Sequence, residues 1–439
     1  MIKLSNLRKT TISALALCGF LCTSFIAQAA STPEFVTKNG RHALMVDGEP
    51  FLMLGMQANN SSNYPDTLKY VWPSFEKMHA NTLEIPVAWE QIEPVEGKFD
   101  FSYVDTLLQQ ARERNARLVL LWFGTWKNNA PHYTPAWVKL NNERFPRVVT
   151  KTGDTLNSLS PLGKNTLAAD KKAFLQLMAH LKKVDEQNTV IMVQVENEAG
   201  TWGSDRDFSP LANAVFNSAV PADLVKKIGV KAGTWPQVFG KDADEFFHAY
   251  YIAKFCEELA SAGKAIKSLP MYANVALRDP FNPTNWEKGG ATDNVIHIWK
   301  AAAPSLDAVA PDIYNPDHKT VVKWLEQYSR EDNPLFVPEI GNSQPYARYF
   351  FDTLGKGGVG FSPFGMDDTD YVNYPLGAAK YDDEIIENFA QHYRVLASMA
   401  REWAKLSFEN KVWGVSEPVD SEALKKMAAK PDASKEDKE

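Results

Sequence analysis

The sequence predicts a (β/α)8 barrel, and three observations carry that prediction. Eight short apolar runs recur along the chain, each with the length and β-branched content of a buried parallel strand. Stretches with apolar residues at helix spacing lie between them, so strand and helix alternate. One run, Thr189–Val195, stops on Asn197-Glu198, a polar pair at a strand's carboxyl end, where such folds place their chemistry. A doubly wound open sheet is the alternative. It would want a glycine-rich phosphate turn after the first strand, and Gly55-Met56-Gln57-Ala58-Asn59-Asn60 has no such pattern.

Taken in order, residues 1–29 predict a cleaved export signal rather than part of the fold. Lys3, Arg8 and Lys9 precede an apolar run, roughly Ile12 to Ile26, and Ala27-Gln28-Ala29 is an A-x-A cleavage pattern. The run is short for a membrane span, so no membrane association is expected after cleavage, and the destination is periplasmic or secreted. Asn39-Gly40 between Phe35–Lys38 and His42–Val46 signals a hairpin suited to capping the barrel bottom. The eight strands follow at Phe51–Met56, Thr82–Val87, Arg117–Trp122, Thr189–Val195, Pro270–Val275, Ala308–Ile313, Leu335–Pro338 and Gly358–Ser362. Helices are expected at Leu68–Ala80, Tyr103–Asn115, Thr166–Asp185, Ala243–Ala262, Val295–Ala302, Thr320–Ser329 and Pro345–Leu354. A last helix, Asp383–Leu406, carries one apolar stripe through Ile385, Ile386, Phe389, Tyr393 and Leu396. The barrel with its hairpin thus occupies 30–410. Residues 411–439, charged and poor in apolar side chains, predict a disordered tail.

The third and fourth connections, Phe123 to Asn165 and Ala199 to Asp242, are long and should wall the barrel mouth. They carry Trp126, His132, Tyr133, Trp137 and Trp202. A net charge of −7 argues against nucleic acid as a partner. Of three cysteines, Cys18 and Cys22 fall in the signal, leaving Cys256 as a core residue with no disulfide partner. No His-Glu-x-x-His motif or cysteine cluster suggests a metal, no cofactor motif is present, and no Gly-x-Ser-x-Gly elbow occurs.

The chemistry lies in a pair of carboxylates. Glu198 follows the fourth strand, and Glu339 follows the apolar run Leu335-Phe336-Val337-Pro338 of the seventh. Strands three apart in an eightfold barrel bring their tops across the same mouth. Two facing carboxyls are the minimal equipment for cleaving a glycosidic bond, one as acid and one as nucleophile or base. A gap of about 5–5.5 Å would retain configuration and about 6.5–9.5 Å would invert it. Glu196 is expected to point the other way and to be structural. Trp89, Trp122 and Trp126 end strands two and three, where an aromatic face could stack on a sugar. Asn128 and Asn129 are candidates for a sugar's 3- or 4-hydroxyl. His132 and His318 lie in rim loops.

Two segments extend this by resemblance. Gln194-Val195-Glu196-Asn197-Glu198-Ala199-Gly200 is similar to the Q-[IV]-E-N-E-Y-G segment of glycoside hydrolase family 35, the β-galactosidases, and departs at Ala199, where an aromatic is usual. Trp89-Glu90-Gln91-Ile92-Glu93-Pro94-Val95-Glu96-Gly97-Lys98-Phe99-Asp100-Phe101 resembles the W-x-x-x-E-P-x-x-G-x-x-D-F segment shared by families 35 and 42. The resemblance covers roughly Phe35 to Leu406. It implies a retaining exo-β-galactosidase with Glu198 as acid/base, Glu339 as nucleophile, Asn197 on the sugar 2-hydroxyl and Tyr314 bonded to the nucleophile. No aromatic follows Glu339, and Phe364 stands where the clan often places a tryptophan platform. Members often carry β-rich domains after the barrel, so a shortened member is expected. The implied partner is a carbohydrate, plant-wall xyloglucan fragments being one possibility. An arabinosidase, glucosidase or endo-glucanase on the same machinery, or a non-catalytic carbohydrate-binding barrel, remain the alternatives.

Overall fold

A computed structural model describes residues 31–369 and 371–419 of the 439. The export signal expected at 1–29 and residues 420–439 of the expected tail lie outside the described residues. Eight parallel strands close into a barrel: β1 Met53–Gln57, β2 Thr82–Ala88, β3 Arg117–Lys127, β4 Val190–Asn197, β5 Met271–Ala276, β6 Ala308–Ile313, β7 Val337–Ile340 and β8 Gly360–Pro363. They neighbour one another in chain order all the way round, and β8 pairs back onto β1. The helices α1 Leu68–Lys77, α2 Ser102–Glu113, α3 Lys164–Val184, α4 Ala243–Ile266, α5 Ile296–Ala302, α6 His318–Tyr328, α7 Tyr349–Gly355 and α8 Asp383–Ala397 follow the strands in turn. The (β/α)8 reading of the sequence is therefore the observed architecture.

The strands are apolar on both faces because each face meets a different core. Inward residues such as Leu121, Phe123, Tyr272 and Phe336 fill the barrel interior. Outward residues such as Ile85, Leu120 and Val193 meet the apolar stripes of the helices. The expected hairpin is present as Glu34–Lys38 with Arg41–Val46, and a third strand, Glu49–Phe51, joins it. That third pairing is why β1 starts at Met53 rather than Phe51. Leu44 and Val46 point into the interior core, so this small sheet plugs the barrel bottom.

Three expectations are corrected, and the long connections gain detail. The single helix Asp383–Leu406 is two, α8 and Ala400–Glu409. The second turns away from the barrel wall onto the bottom sheet, where Arg401 donates to Val46 O at 2.7 Å and Arg41 donates back to Phe408 O at 2.8 Å. The helix expected at Pro345–Leu354 is likewise split, into Gln344–Ala347 and α7. The two long connections are walls with structure of their own: the third holds the hairpin Arg147–Val149 with Thr155–Leu159, and the fourth holds helices Pro210–Phe216, Ala222–Ile228 and Trp235–Phe239. Finally, the start of the expected tail packs on the barrel. Gly414 lies against the Phe351 and Gly355 backbone, and Ser416 Oγ donates to Asp352 Oδ2 at 3.1 Å.

The closing seam between β8 and β1 has a latch from α8. Tyr393 Oη lies 2.8 Å from Gly55 O and 2.6 Å from Phe361 O, fully buried, and shares its one proton between them. Tyr393→Phe leaves both carbonyls without that donor and is expected to lower unfolding free energy by about 1–3 kcal/mol, read from urea denaturation.

Candidate active site

The carboxyl ends of the strands open onto a cavity of about 510 Å³. Glu198, Asp312 and Glu339 stand on its floor, all buried, each offering an oxygen within 4.8 Å of the others. Strand pairing explains part of this: Asp312 on β6 is directly opposite Glu339 on β7. Glu198 is brought in by its backbone. The β3–β4 register breaks between Trp122 and Lys127, and Glu196 and Glu198 both take left-handed conformations, with φ of 65° and 44°. Such conformations in non-glycine residues are costly and cluster at functional sites.

Those two dihedrals also separate the two glutamates. In a regular strand, residues two apart share a face, so alternation alone would have put Glu196 beside Glu198. Instead Glu196 turns outward under β3, accepts from Trp126 N at 2.8 Å and pairs with Asp170 of α3. Burial pushes both carboxyls above their ordinary range, the Asp170 charge pushes Glu196 up further, and the hydrogen bond between them is one that two carboxyls make by sharing a proton. Glu196 is structural, as expected from the sequence, but for a reason the alternation does not contain.

Glu339 is met by four donors. Gln57 Nε2, Asn197 Nδ2 and Asn274 Nδ2 approach Oε1 at 3.0, 3.2 and 3.4 Å, and Tyr314 Oη donates to Oε2 at 2.7 Å. Glu198 has a different surround. Asn128 donates to its Oε2, Lys127 bonds Asn128, and Asp312 shares a hydrogen bond with it. Its backbone N–H is fixed by Asn274 Oδ1 at 2.9 Å. Burial first, and the Glu339 charge second, lift the Glu198 carboxyl to about 7, against the pull of Lys127. Asp312 is driven up for the same two reasons. The spacing of Glu198, Asp312 and Glu339 would also suit a cation; Asn274 Nδ2 bonds Asp312 Oδ2 at 2.7 Å and Tyr314 Oη bonds Glu339 Oε2 at 2.7 Å.

The structure brings together Glu198, Glu339, Asn197, Tyr314 and Asn128. It does not bring Trp89 or Trp126 to the cavity. Trp89 is fully buried at the end of β2, donates Nε1 to Glu93 Oε2 at 3.0 Å and packs edge-on against Trp137. Its segment is a buttress for the third connection, with Gly97 N also bonded to Glu93 at 2.7 Å. Trp126 faces outward onto Phe255 of α4, since the next residue, Lys127, takes the inward position. Trp122 is likewise buried, bonded to Asp170. Phe364 does line the cavity, edge-on to Tyr314. His132 is exposed, and His318 stacks on Tyr349 away from the site.

Sequence reasoning missed Gln57, Lys127, Asn274, Asp312, Glu287 and Trp324. Four of these had a signal. Gln57, Lys127, Asn274 and Asp312 are polar residues in otherwise apolar strands, at or near their carboxyl ends. Glu287 and Trp324 come from a loop and a helix, where nothing in the pattern distinguishes them.

Comparison with known proteins bears on the family and the fold. The family model of glycoside hydrolase family 42, described as beta-galactosidase, matches residues 64–223. This is the second of the two families that the Trp89–Phe101 segment resembles. No curated protein sequence matches the chain. Among solved structures, a family 42 β-galactosidase from G. stearothermophilus is similar with a TM-score of 0.60 at 14% identity, over 87% of this chain and 62% of that one. A β-galactosidase from Bacillus circulans sp. alkalophilus gives 0.59 at 13%, over 81% and 57%. One from Rahnella sp. R3 gives 0.56 at 16%, over 84% and 62%. At these identities the likeness is one of fold, and the chain spans about six-tenths of the length of these proteins.

The electrostatics make a prediction independent of any substrate. In Glu339→Gln the neighbouring negative charge is gone but the burial stays. The Glu198 pKa should fall below about 7 yet remain above the ordinary 4.5, followed by carboxyl ¹³C NMR titration.

Proposed function

We propose that this chain is a retaining β-galactosidase in which Glu339 attacks the anomeric carbon and Glu198 first protonates the leaving oxygen, then deprotonates the incoming water. The observation that carries the proposal is the unequal treatment of two carboxyls within 4.8 Å of each other. One is surrounded by donors, as a charged nucleophile requires, and the other is lifted to about 7, where an acid still holds its proton near neutrality. Their closeness favours retention, since inversion needs room for a water between carboxyls about 6.5–9.5 Å apart. Buried acceptors without a partner among the described residues, Gln57 Oε1 and Asn197 Oδ1, suit a ligand rich in hydroxyl donors. In this reading Asn197 bonds the 2-hydroxyl, the role the resemblance implies for it, while Asn128 donates to Glu198 and Tyr314 to Glu339.

The choice of galactoside over other glycosides rests on the family 42 match and on the two resembling segments. Export likewise rests on residues 1–29 alone, and fractionation of cells carrying the full chain with a C-terminal tag checks it.

The test is hydrolysis of a panel of 4-nitrophenyl glycosides. Wild type should turn over the β-galactoside, and Glu339→Gly should lose about 10³-fold or more. Azide should restore Glu339→Gly with an α-galactosyl azide product and Glu198→Ala with the β-anomer. Full activity in Glu339→Gly would remove the nucleophile assignment, and an initial α-galactose product from wild type would remove retention. In the pH profile, kcat/KM should decline through about pH 7 on the alkaline side, as Glu198 loses the proton it must donate.

A further inference from the structure

The cavity contains a fourth carboxyl that the proposed reaction does not use. Glu287 reaches the mouth from the loop after β5, is 1% exposed and lines the cavity. The Asn129 side chain hydrogen-bonds its carboxyl, and its Oε1 has no partner in hydrogen-bond geometry among the described residues. A buried acceptor left open in a cavity wall calls for a donor from a ligand. The position is built rather than incidental. Thr201 N donates to Lys288 O and Lys288 N to Thr201 O, both at 2.9 Å, so the fourth and fifth loops are bridged beside Glu287. Glu287 then lies directly over Gly200, where an added Cβ would come within 2.4 Å of its Cγ.

This location has a chemical meaning. An acid gives its proton to the glycosidic oxygen, so the leaving group lies on the acid's side of the reacting carbon, away from the nucleophile. Glu287 is on that side: it sits against the residue two past Glu198, with Lys127 at the end of β3 and Asn129 of the third loop beside it. Trp202, 41% exposed, follows the bridging Thr201 and lines the cavity with Glu287; Trp324 lines it too, its indole fixed by donation to Arg278 O at 2.9 Å. An exposed indole beside a buried open acceptor matches the two faces of a sugar ring, one apolar and one edged with hydroxyls.

We propose that Glu287 and Trp202 form a leaving-group subsite for a second sugar, in which Trp202 stacks on the ring and Glu287 Oε1 accepts from its hydroxyls. The natural substrate is then a galactosyl oligosaccharide and not an alkyl or aryl galactoside. This rests on the galactosidase reading above.

The experiment compares kcat/KM on 4-nitrophenyl β-galactoside, whose leaving group has no such hydroxyls, with kcat/KM on a β-galactosyl-glucose disaccharide. In Glu287→Leu the disaccharide-to-aryl ratio should fall about tenfold or more, and in Glu287→Gln, which keeps an acceptor oxygen, it should fall less. Trp202→Ala changes an exposed side chain and should lower the same ratio, which keeps the test decisive if Glu287→Leu fails to fold. An unchanged ratio in the folded variants, whether or not both rates drop, would overturn the subsite and leave the galactosidase reading standing. Failure of wild type on both substrates would overturn that reading, and the subsite with it.

Discussion

Carboxyls buried close together cannot all be charged, and the mouth of this barrel depends on that constraint. Glu198, Asp312 and Glu339 lie within 4.8 Å of each other with little access to water. Ionising all three would set like charges side by side in a medium that screens them poorly. The protein resolves this by dividing its donors unequally. Glu339 receives three amides and the Tyr314 hydroxyl, whereas Glu198 and Asp312 receive one amide each and share hydrogen with each other. The same solution appears one layer outward, where Asp170 and Glu196 hold a proton between β4 and α3. That outer pair does no chemistry in the proposed cycle. It pins the tops of β3 and β4 through Trp122, Thr125 and Trp126, and so fixes the bent strand end from which Glu198 projects.

The scaffold around the site works by anchoring loops to strand ends. Gly124 has no room for a side chain, since an added Cβ would meet the Trp122 indole, Asp170 and Glu196. Asn128 and Asn129, both at positive φ, then turn the third connection across the mouth and bond back to the carbonyls of Asn197 and Glu198 at 3.2 and 3.3 Å. Asparagine tolerates this conformation better than most residues. Glu93 ties Trp89, Gly97 and Trp137 together behind that connection. Rigid supports of this kind hold a reacting pair to the tolerance that catalysis demands.

The fold was legible because a barrel's strands announce themselves. Ala308–Ile313 was bounded correctly to the residue and six others within two, while β3 runs five residues past its expected end; length and β-branched content separated these runs from buried helix segments. The carboxyl pair was legible for the same reason: Glu198 and Glu339 interrupt apolar runs at their ends. Orientation was not legible. Trp89 and Trp126 sit at strand tops like Glu339, yet face the helices, and an aromatic residue is as welcome in that layer as in a sugar site. The outward turn of Glu196 required positive backbone dihedrals, which glutamate does not advertise. Asp312 carried the same signal as Glu339 but was overshadowed by Tyr314 two residues on. Glu287 depended on a loop-to-loop bridge, a contact between distant segments that no local pattern encodes.

The bridge between Thr201 and Lys288 makes Gly200 and Glu287 one unit of variation. A bulkier residue at 200 can be seated only if the side chain at 287 shortens or withdraws, and a shorter residue at 287 opens space that only a side chain at 200 can fill. Libraries that randomise either loop alone would therefore sample mostly clashes or voids. Randomising the two positions together would reshape the rim as a single surface, with the carboxyl floor beneath it left in place.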